Sequence, residues 1–161
     1  MSVRGWAQAA AAACIVALGL VVAGPASGHD VACESRLREV PIETAALPDG
    51  WQWDFFTLER YGAPSFQAAI DAGGFAVNLE LACVSDAEGL FDRLEDLREA
   101  AGNSKIGVEP VGDESMAARE FEDFPTIRWR HDDIVGTLRA FDEVEFGAME
   151  DFTQAVDELL R

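Results

Sequence analysis

Thirty Asp and Glu residues face only twelve Lys and Arg in this 161-residue chain, so carboxylates are its most abundant groups able to do chemistry. Paired carboxylates act as general acid and base only at a defined separation inside a cleft, with one pKa raised by burial. Asp113-Glu114 sits in a turn between predicted strands, and Asp132-Asp133 sits in a predicted hairpin loop. The same four residues, Asp113, Glu114, Asp132 and Asp133, are the candidate metal ligands, because a hard cation such as Ca2+ takes oxygen ligands from loops. Glu120-Glu122-Asp123 and Asp142-Glu143-Glu145 are further acidic clusters. None has the Asp-x-Asp-x-Asp-Gly spacing of an EF-hand. No cofactor is required by this pattern, and Ca2+ is the one it admits. With so many acids, solvated turns are the competing explanation of every pair.

Nucleophiles are poorly provided. Gly-x-Ser-x-Gly is absent, and Ser65, Ser85, Ser104 and Ser115 have local explanations where any is legible, Ser85 as a helix cap and Ser115 as a turn residue. There are two histidines, His29 and His131. An N-terminal His29 would offer copper its amine and ring together, with His131 as a third nitrogen; a hairpin-tip residue is the plainer reading of His131. Trp51, Trp53 and Phe55 alternate along one strand and form either a sugar-stacking platform or, more simply, core. Arg128, Arg130 and Arg139 share the outer face of a hairpin, where they meet either an acidic ligand or neighbouring acids such as Glu120 and Glu122. Catalytic residues are therefore assigned to none of these groups.

The first 28 residues place the chain. Arg4 is their one charged side chain, Ala7 to Ala23 is apolar or small apart from Gln8, and Gly24-Pro25 then leads to Ala26-Ser27-Gly28. This is the pattern of a secretory signal cleaved before His29, with an uncleaved anchor as the alternative. Cys33 follows Asp30-Val31-Ala32, which spoils a lipid-attachment pattern. The remaining chain holds all thirty acids and eleven basic residues, a net charge of −19. Such a surface excludes unaided binding to nucleic acid or anionic lipid. Its apolar content excludes a disordered acidic tail, and its length suits one domain.

Cys14 leaves with the signal, so Cys33 and Cys83 remain, and in an oxidising compartment two cysteines pair. Such a bridge over 50 residues contributes roughly 4 kcal/mol by chain entropy. Two separate buried thiols are the alternative. No Cys-x-x-Cys or Cys/His cluster supports a redox or zinc centre.

The elements that would position these groups follow from hydrophobic period. Trp51 to Leu58 and Phe75 to Cys83 alternate as strands, the latter turning Phe75, Val77, Leu79, Leu81 and Cys83 to one side. Between them, Pro64-Ser65 opens a short helix on Phe66, Ala69 and Ile70, stopped by Gly73-Gly74. Ser85-Asp86-Ala87-Glu88 is a capping box for a helix on Leu90, Phe91, Leu94, Leu97 and Ala101 that Gly102 ends. Lys105 to Val111 reads as a strand, and another follows the Gly112-Asp113-Glu114-Ser115 turn. A hairpin around Asp132-Asp133 opposes Trp129 to Gly136 and Ile127 to Leu138. A last helix over Ala148 to Leu160 carries Met149, Phe152, Val156, Leu159 and Leu160. The expected fold is α+β, an antiparallel sheet covered by helices, with residues 29–161 forming one secreted domain.

Leu47-Pro48-Asp49-Gly50-Trp51, Gly112-Asp113-Glu114, Ile127-Arg128-Trp129-Arg130 and Ala155-Val156-Asp157-Glu158-Leu159 occur in that order. In this the chain resembles the small secreted actinobacterial proteins of the PsbP-like class. It departs from them in having Asp132-Asp133 at the hairpin where they commonly have Gly-Asn, and in lacking a lipid-anchoring cysteine. The resemblance implies a PsbP-like fold and a non-enzymatic envelope module with no catalytic residue to carry over; the preferred reading is that this module binds a protein or small ligand, and the signal pattern leaves no transmembrane segment after cleavage. The alternative is a secreted acidic hydrolase or metal-dependent enzyme built around Asp113 and Asp132.

Overall fold

The computed structural model describes residues 31–60, 64–103, 105–120 and 124–161, of which 55–60 and Pro64 are described as backbone alone. The signal pattern over residues 1–28, His29, Ser104, Glu122 and Asp123 lie outside the described residues. The elements run α1 (Val31–Glu39), a 3-10 turn (Ile42–Thr44), β1 (Trp51–Arg60), β2 (Pro64–Ala72), β3 (Ala76–Cys83) and α2 (Ala87–Ala100). They continue with β4 (Lys105–Ile106), β5 (Glu114–Glu120), β6 (Phe124–His131), β7 (Ile134–Ala140) and α3 (Phe146–Leu160). Seven strands form one antiparallel sheet in the order β1-β2-β3-β7-β6-β5-β4. The fold is α+β, as the order of elements implies. Among the described residues no helix is long and apolar enough to cross a membrane.

Alternation sorts the sheet into two faces. Phe66, Ala68 and Ile70 of β2, Val77, Leu79 and Leu81 of β3, Ile127 and Trp129 of β6 and Leu138 of β7 are all buried on one side. Met149, Phe152, Val156 and Leu160 of α3, Cys33 and Leu37 of α1, and Ile42 complete that core. Trp51 and Trp53 pack on Phe152 at 5.8 and 5.7 Å between ring centroids, so these two tryptophans are core walls rather than a sugar platform. The register slips between Trp53 and Phe55, a bulge at Asp54, so Phe55 pairs with Ala69 instead of Ala68. The opposite face carries Arg128, Arg130, Thr137 and Arg139. Met116 and Ala118 are buried on that side, where α2 lies against β6 with Ala87 and Phe91 inward.

Four expectations are corrected. Residues 64–72 form a strand, not a helix: Phe66, Ala68, Ile70 and Ala72 alternate inward, and pairing on both sides outweighs the helix propensity of the alanines. The stretch 105–111 pairs only at Lys105 and Ile106. Beyond them Pro110 has no N–H to give, the Glu109 N–H donates to Glu150 Oε1, and the Val111 N–H donates to Ser115 Oγ. Asp86, not Ser85, caps α2, its carboxylate accepting from the Gly89 N–H. The apolar stripe of α2 is only partly used: Leu97 is 57 % exposed, whereas the Arg98 guanidinium is buried and donates to the carbonyl of Asn103. Gly102 does end α2, at φ +74°, with the Gly102 and Asn103 N–H groups bonded to the carbonyls of Glu99 and Arg98.

The hairpin register agrees with its reading from sequence: Trp129 opposes Gly136 and Ile127 opposes Leu138. A Cβ on Gly136 would lie against the six-membered ring of Trp129, within 2.6 Å of its Cη2. The fully buried indole therefore occupies the space a side chain would need. Gly136→Ala is expected to overpack this site and lower stability by about 1–3 kcal/mol, read as a drop in the urea midpoint without a change in slope. An unchanged midpoint would show that the indole has room to move.

Candidate functional site

The β6–β7 turn gathers the four candidate metal ligands at one end of the sheet. Asp132 occupies the left-handed region at φ +53°, which an Asp tolerates better than most residues. Its backbone N–H donates to Asp113 Oδ2 at 2.7 Å, and the Val84 N–H donates to the Asp133 carbonyl at 2.7 Å. Arg36 reaches across from α1 as a fork, Nη1 to Asp132 Oδ2 at 2.9 Å and Nη2 to Asp133 Oδ1 at 2.7 Å. Arg130 donates to Asp113 Oδ2 at 3.3 Å and pairs with Glu114 at 3.7 Å. All four candidate ligands, Asp113, Glu114, Asp132 and Asp133, are thus brought to one corner, and each faces an arginine. Among the described residues no three His, Cys, Asp or Glu side chains are grouped to hold a metal ion.

Electrostatics follow this geometry. The Arg36 hydrogen bond is the main cause holding the Asp132 carboxyl below its ordinary pKa; desolvation, the next largest effect, opposes it, and the charges of Arg36, His131 and Arg130 add attraction. Because Asp132 is exposed, this is a surface interaction that salt screens.

Next to the turn lies a group the sequence reading missed. Asp157 of α3 is 1 % exposed, and its Oδ1 lies 3.1 Å from His131 Nδ1 while its Oδ2 accepts from Arg161 at 3.1 and 3.3 Å. A buried carboxylate of this kind persists only when its lone pairs are met. Gly112, at φ +63°, lets the chain pass: a Cβ there would collide with the Arg130 carbonyl oxygen and come within 3.1 Å of Asp157 Oδ1. An open cleft of about 240 Å³ runs from Glu109, Pro110 and Val111 to Gln154, Asp157, Glu158 and Arg161. The Asp157–Arg161 spacing of four along a predicted helix was the legible half of this group. His131, 26 residues away, could be joined to it only by the fold.

On the outer face Glu120 is the other buried acid among the described residues. It binds Arg128 Nη1 through one oxygen and pairs with Arg139 at 3.5 Å through the other. Arg139 is pushed below its ordinary pKa chiefly by burial and next by Arg128, with Glu120 pulling it back. The hairpin arginines therefore meet neighbouring acids within the chain. Glu120 and Asp157 sit on opposite faces of the sheet and do not converge on one cleft. Comparison with protein-family models, with curated proteins and with solved structures returns no match.

The Asp132 carboxyl gives a pH test. Its folded pKa lies below its unfolded one, so its contribution to stability is present above the ordinary carboxylate range and is lost as pH falls through the depressed value. Carbon-detected NMR titration is expected to show Asp132 below that range in the native protein and back within it in Arg36→Ala. An identical titration in both proteins would remove Arg36 as the cause.

Proposed function

We propose that the chain is an exported, non-enzymatic module that binds a protein or small ligand at the cell envelope. The observation that carries this reading is the fate of the acids: Asp113, Glu114, Asp132 and Asp133 are paired with Arg36 and Arg130 instead of converging on a cleft. General acid–base chemistry needs the opposite arrangement, with a carboxyl left poised to exchange a proton. Export is supported by the apolar, small-residue pattern of residues 1–28 and by the Cys33–Cys83 disulfide, which belongs to an oxidising compartment. The PsbP-like resemblance fits the same reading, an antiparallel sheet with flanking helices and no catalytic residue to inherit. Calcium, if bound, would compete with arginines for the hairpin carboxylates.

One pair favours the hydrolase alternative. His131 Nδ1 against a buried Asp157 is the way hydrolases orient a general base. In this chain Arg161 shares the same carboxylate, which makes the pair a structural tie between hairpin and helix.

Purified mature protein is expected to turn over no chromogenic ester, glycoside, phosphate or peptide substrate above the buffer rate, with Ca2+ or with EDTA. Turnover lost in His131→Ala or Asp113→Asn would contradict the proposal. Cell fractionation is expected to place the protein outside the cytoplasm, with His29 as its first residue by mass spectrometry. A full-length cytoplasmic product would remove the export half of it.

A further inference from the structure

We infer that the leucine edge of α2, with the open outer face of β3 and β7 beside it, forms a docking trough for an amphipathic helix of a basic partner protein. This deepens the binding-module reading above and rests on it. Leu90, Leu94, Leu97 and Ala101 follow one another at spacings of four, three and four residues, the period of a helix–helix seam. The helix does not use this seam on its own sheet. Ala87, Phe91 and Arg98 are its buried residues, Leu90 and Leu94 are partly buried, and Leu97 is 57 % exposed. Single exposed leucines are ordinary, whereas a stripe of them at helical period is the edge against which another helix packs.

The side chains around α2 fix which way this edge looks. Glu95 reaches Lys105 of β4 at 3.1 Å. By helical period Glu88, Glu95 and Glu99 lie to one side of the buried line of Ala87, Phe91 and Arg98, and Leu90, Leu94 and Leu97 lie to the other. With the acidic side turned to β4 and α2 lying against β6, the leucine side looks back across β7 and β3. There the outer face is open to solvent. Register sets Gln67, Glu80 and Thr137 in one row and Ala69, Asn78 and Arg139 in the next, all of them partly accessible. Packed helices lie about 8–10 Å apart and strands about 4.8 Å apart, so a helix beside α2 would rest two strands from β6, over β3.

Charge chooses the occupant. Glu88, Asp92, Glu95, Asp96 and Glu99 of α2 outnumber its Arg93 and Arg98. Asp71 and Glu80 are acids of the floor, and Arg139 beside them already faces Glu80 and Glu120. A second copy would bring the same surplus of carboxylates, 30 against 12 basic residues, and two copies repel. The trough suits instead a helix with apolar side chains along the edge that meets Leu90, Leu94 and Leu97, and with Lys or Arg on the side that meets Asp71 and Glu80.

Amide NMR titration of the exported protein with a leucine–lysine peptide in amphipathic helical order, in about 0.15 M salt, tests this. Shifts are expected along residues 89–101 and at Asn78, Glu80, Thr137 and Arg139. Leu97 is outside the buried core, so Leu97→Ser should fold as the parent does and bind the peptide about tenfold more weakly or worse. The same loss is expected with a peptide of identical composition in scrambled order, and with glutamate in place of lysine. Equal affinity in Leu97→Ser, or for the scrambled peptide, would overturn the trough, because net charge alone would then hold the peptide. Equal affinity for the glutamate peptide, no binding, or shifts centred on the Asp132 turn would overturn it as well. So would a dimer in sedimentation that Leu97→Ser dissolves, because the occupant would then be a second copy. Turnover, which tests the module reading, is assayed without peptide, so the two can fail separately.

Discussion

The seat of Trp129 on Gly136 sets the register of the strand pair at the centre of the sheet, and the positions of the charged groups follow from it. The indole is fully buried, its neighbour across the pair has no side chain, and a methyl there would meet the ring. Shifting the pair by one residue would carry Trp129 to the outer face and Arg128 or Arg130 into the core, a cost no other contact here offsets. With the register held, Ile127, Trp129 and Leu138 meet α3, and His131 ends the strand where Asp157 can take its Nδ1. Asp132 and Asp133 fall in the turn, within reach of Arg36 and Asp113.

Charge is distributed by the same logic. Cations are scarce, and among the described residues Arg36, Arg93, Arg98, Lys105, Arg128, Arg130, Arg139 and Arg161 all pair with acids of the same chain. Arg119 adds a contact over the ring of Phe146. The positive charge is thus drawn into internal ties, and the acids in excess of it, such as Asp92, Asp96, Asp142, Glu143 and Asp151, face solvent. This leaves a negative outer surface. Among the described residues two carboxylates are the exceptions, Glu120 and Asp157, and each is buried between two basic side chains. Removing one partner of such a group costs more than the pair contributes, which makes them fasteners of the fold.

Period and spacing in the sequence carried most of this architecture. Val77, Leu79 and Leu81 alternate inward as read, although Phe75, which would start that row, precedes β3 and is 41 % exposed; the Asp132-Asp133 loop predicts every pair of the β6–β7 ladder, and Cys33 and Cys83 form the bridge expected of them. The failures have physical causes. Ala68, Ala69 and Ala72 suit helix and strand alike, so β2 was settled by its neighbours on both sides rather than by its own residues. A one-residue bulge at Asp54 shifts a register that reads as continuous. The site was less legible than the fold. Arg36 lies 96 residues from Asp132, and His131 lies 26 from Asp157, so neither contact leaves a local trace. Acids that look like ligands in sequence are indistinguishable from acids awaiting an arginine until the arginine is placed.

The most direct test of the Trp129–Gly136 seat is the proton NMR spectrum of Gly136. The ring lies where a Cβ would be, so one Gly136 α-proton points at the face of the indole and should be shielded by its ring current. The account predicts an α-proton far upfield of the ordinary glycine range, with nuclear Overhauser contacts to the six-membered ring of Trp129. Two ordinary glycine α-proton shifts with no contact to the indole would contradict it.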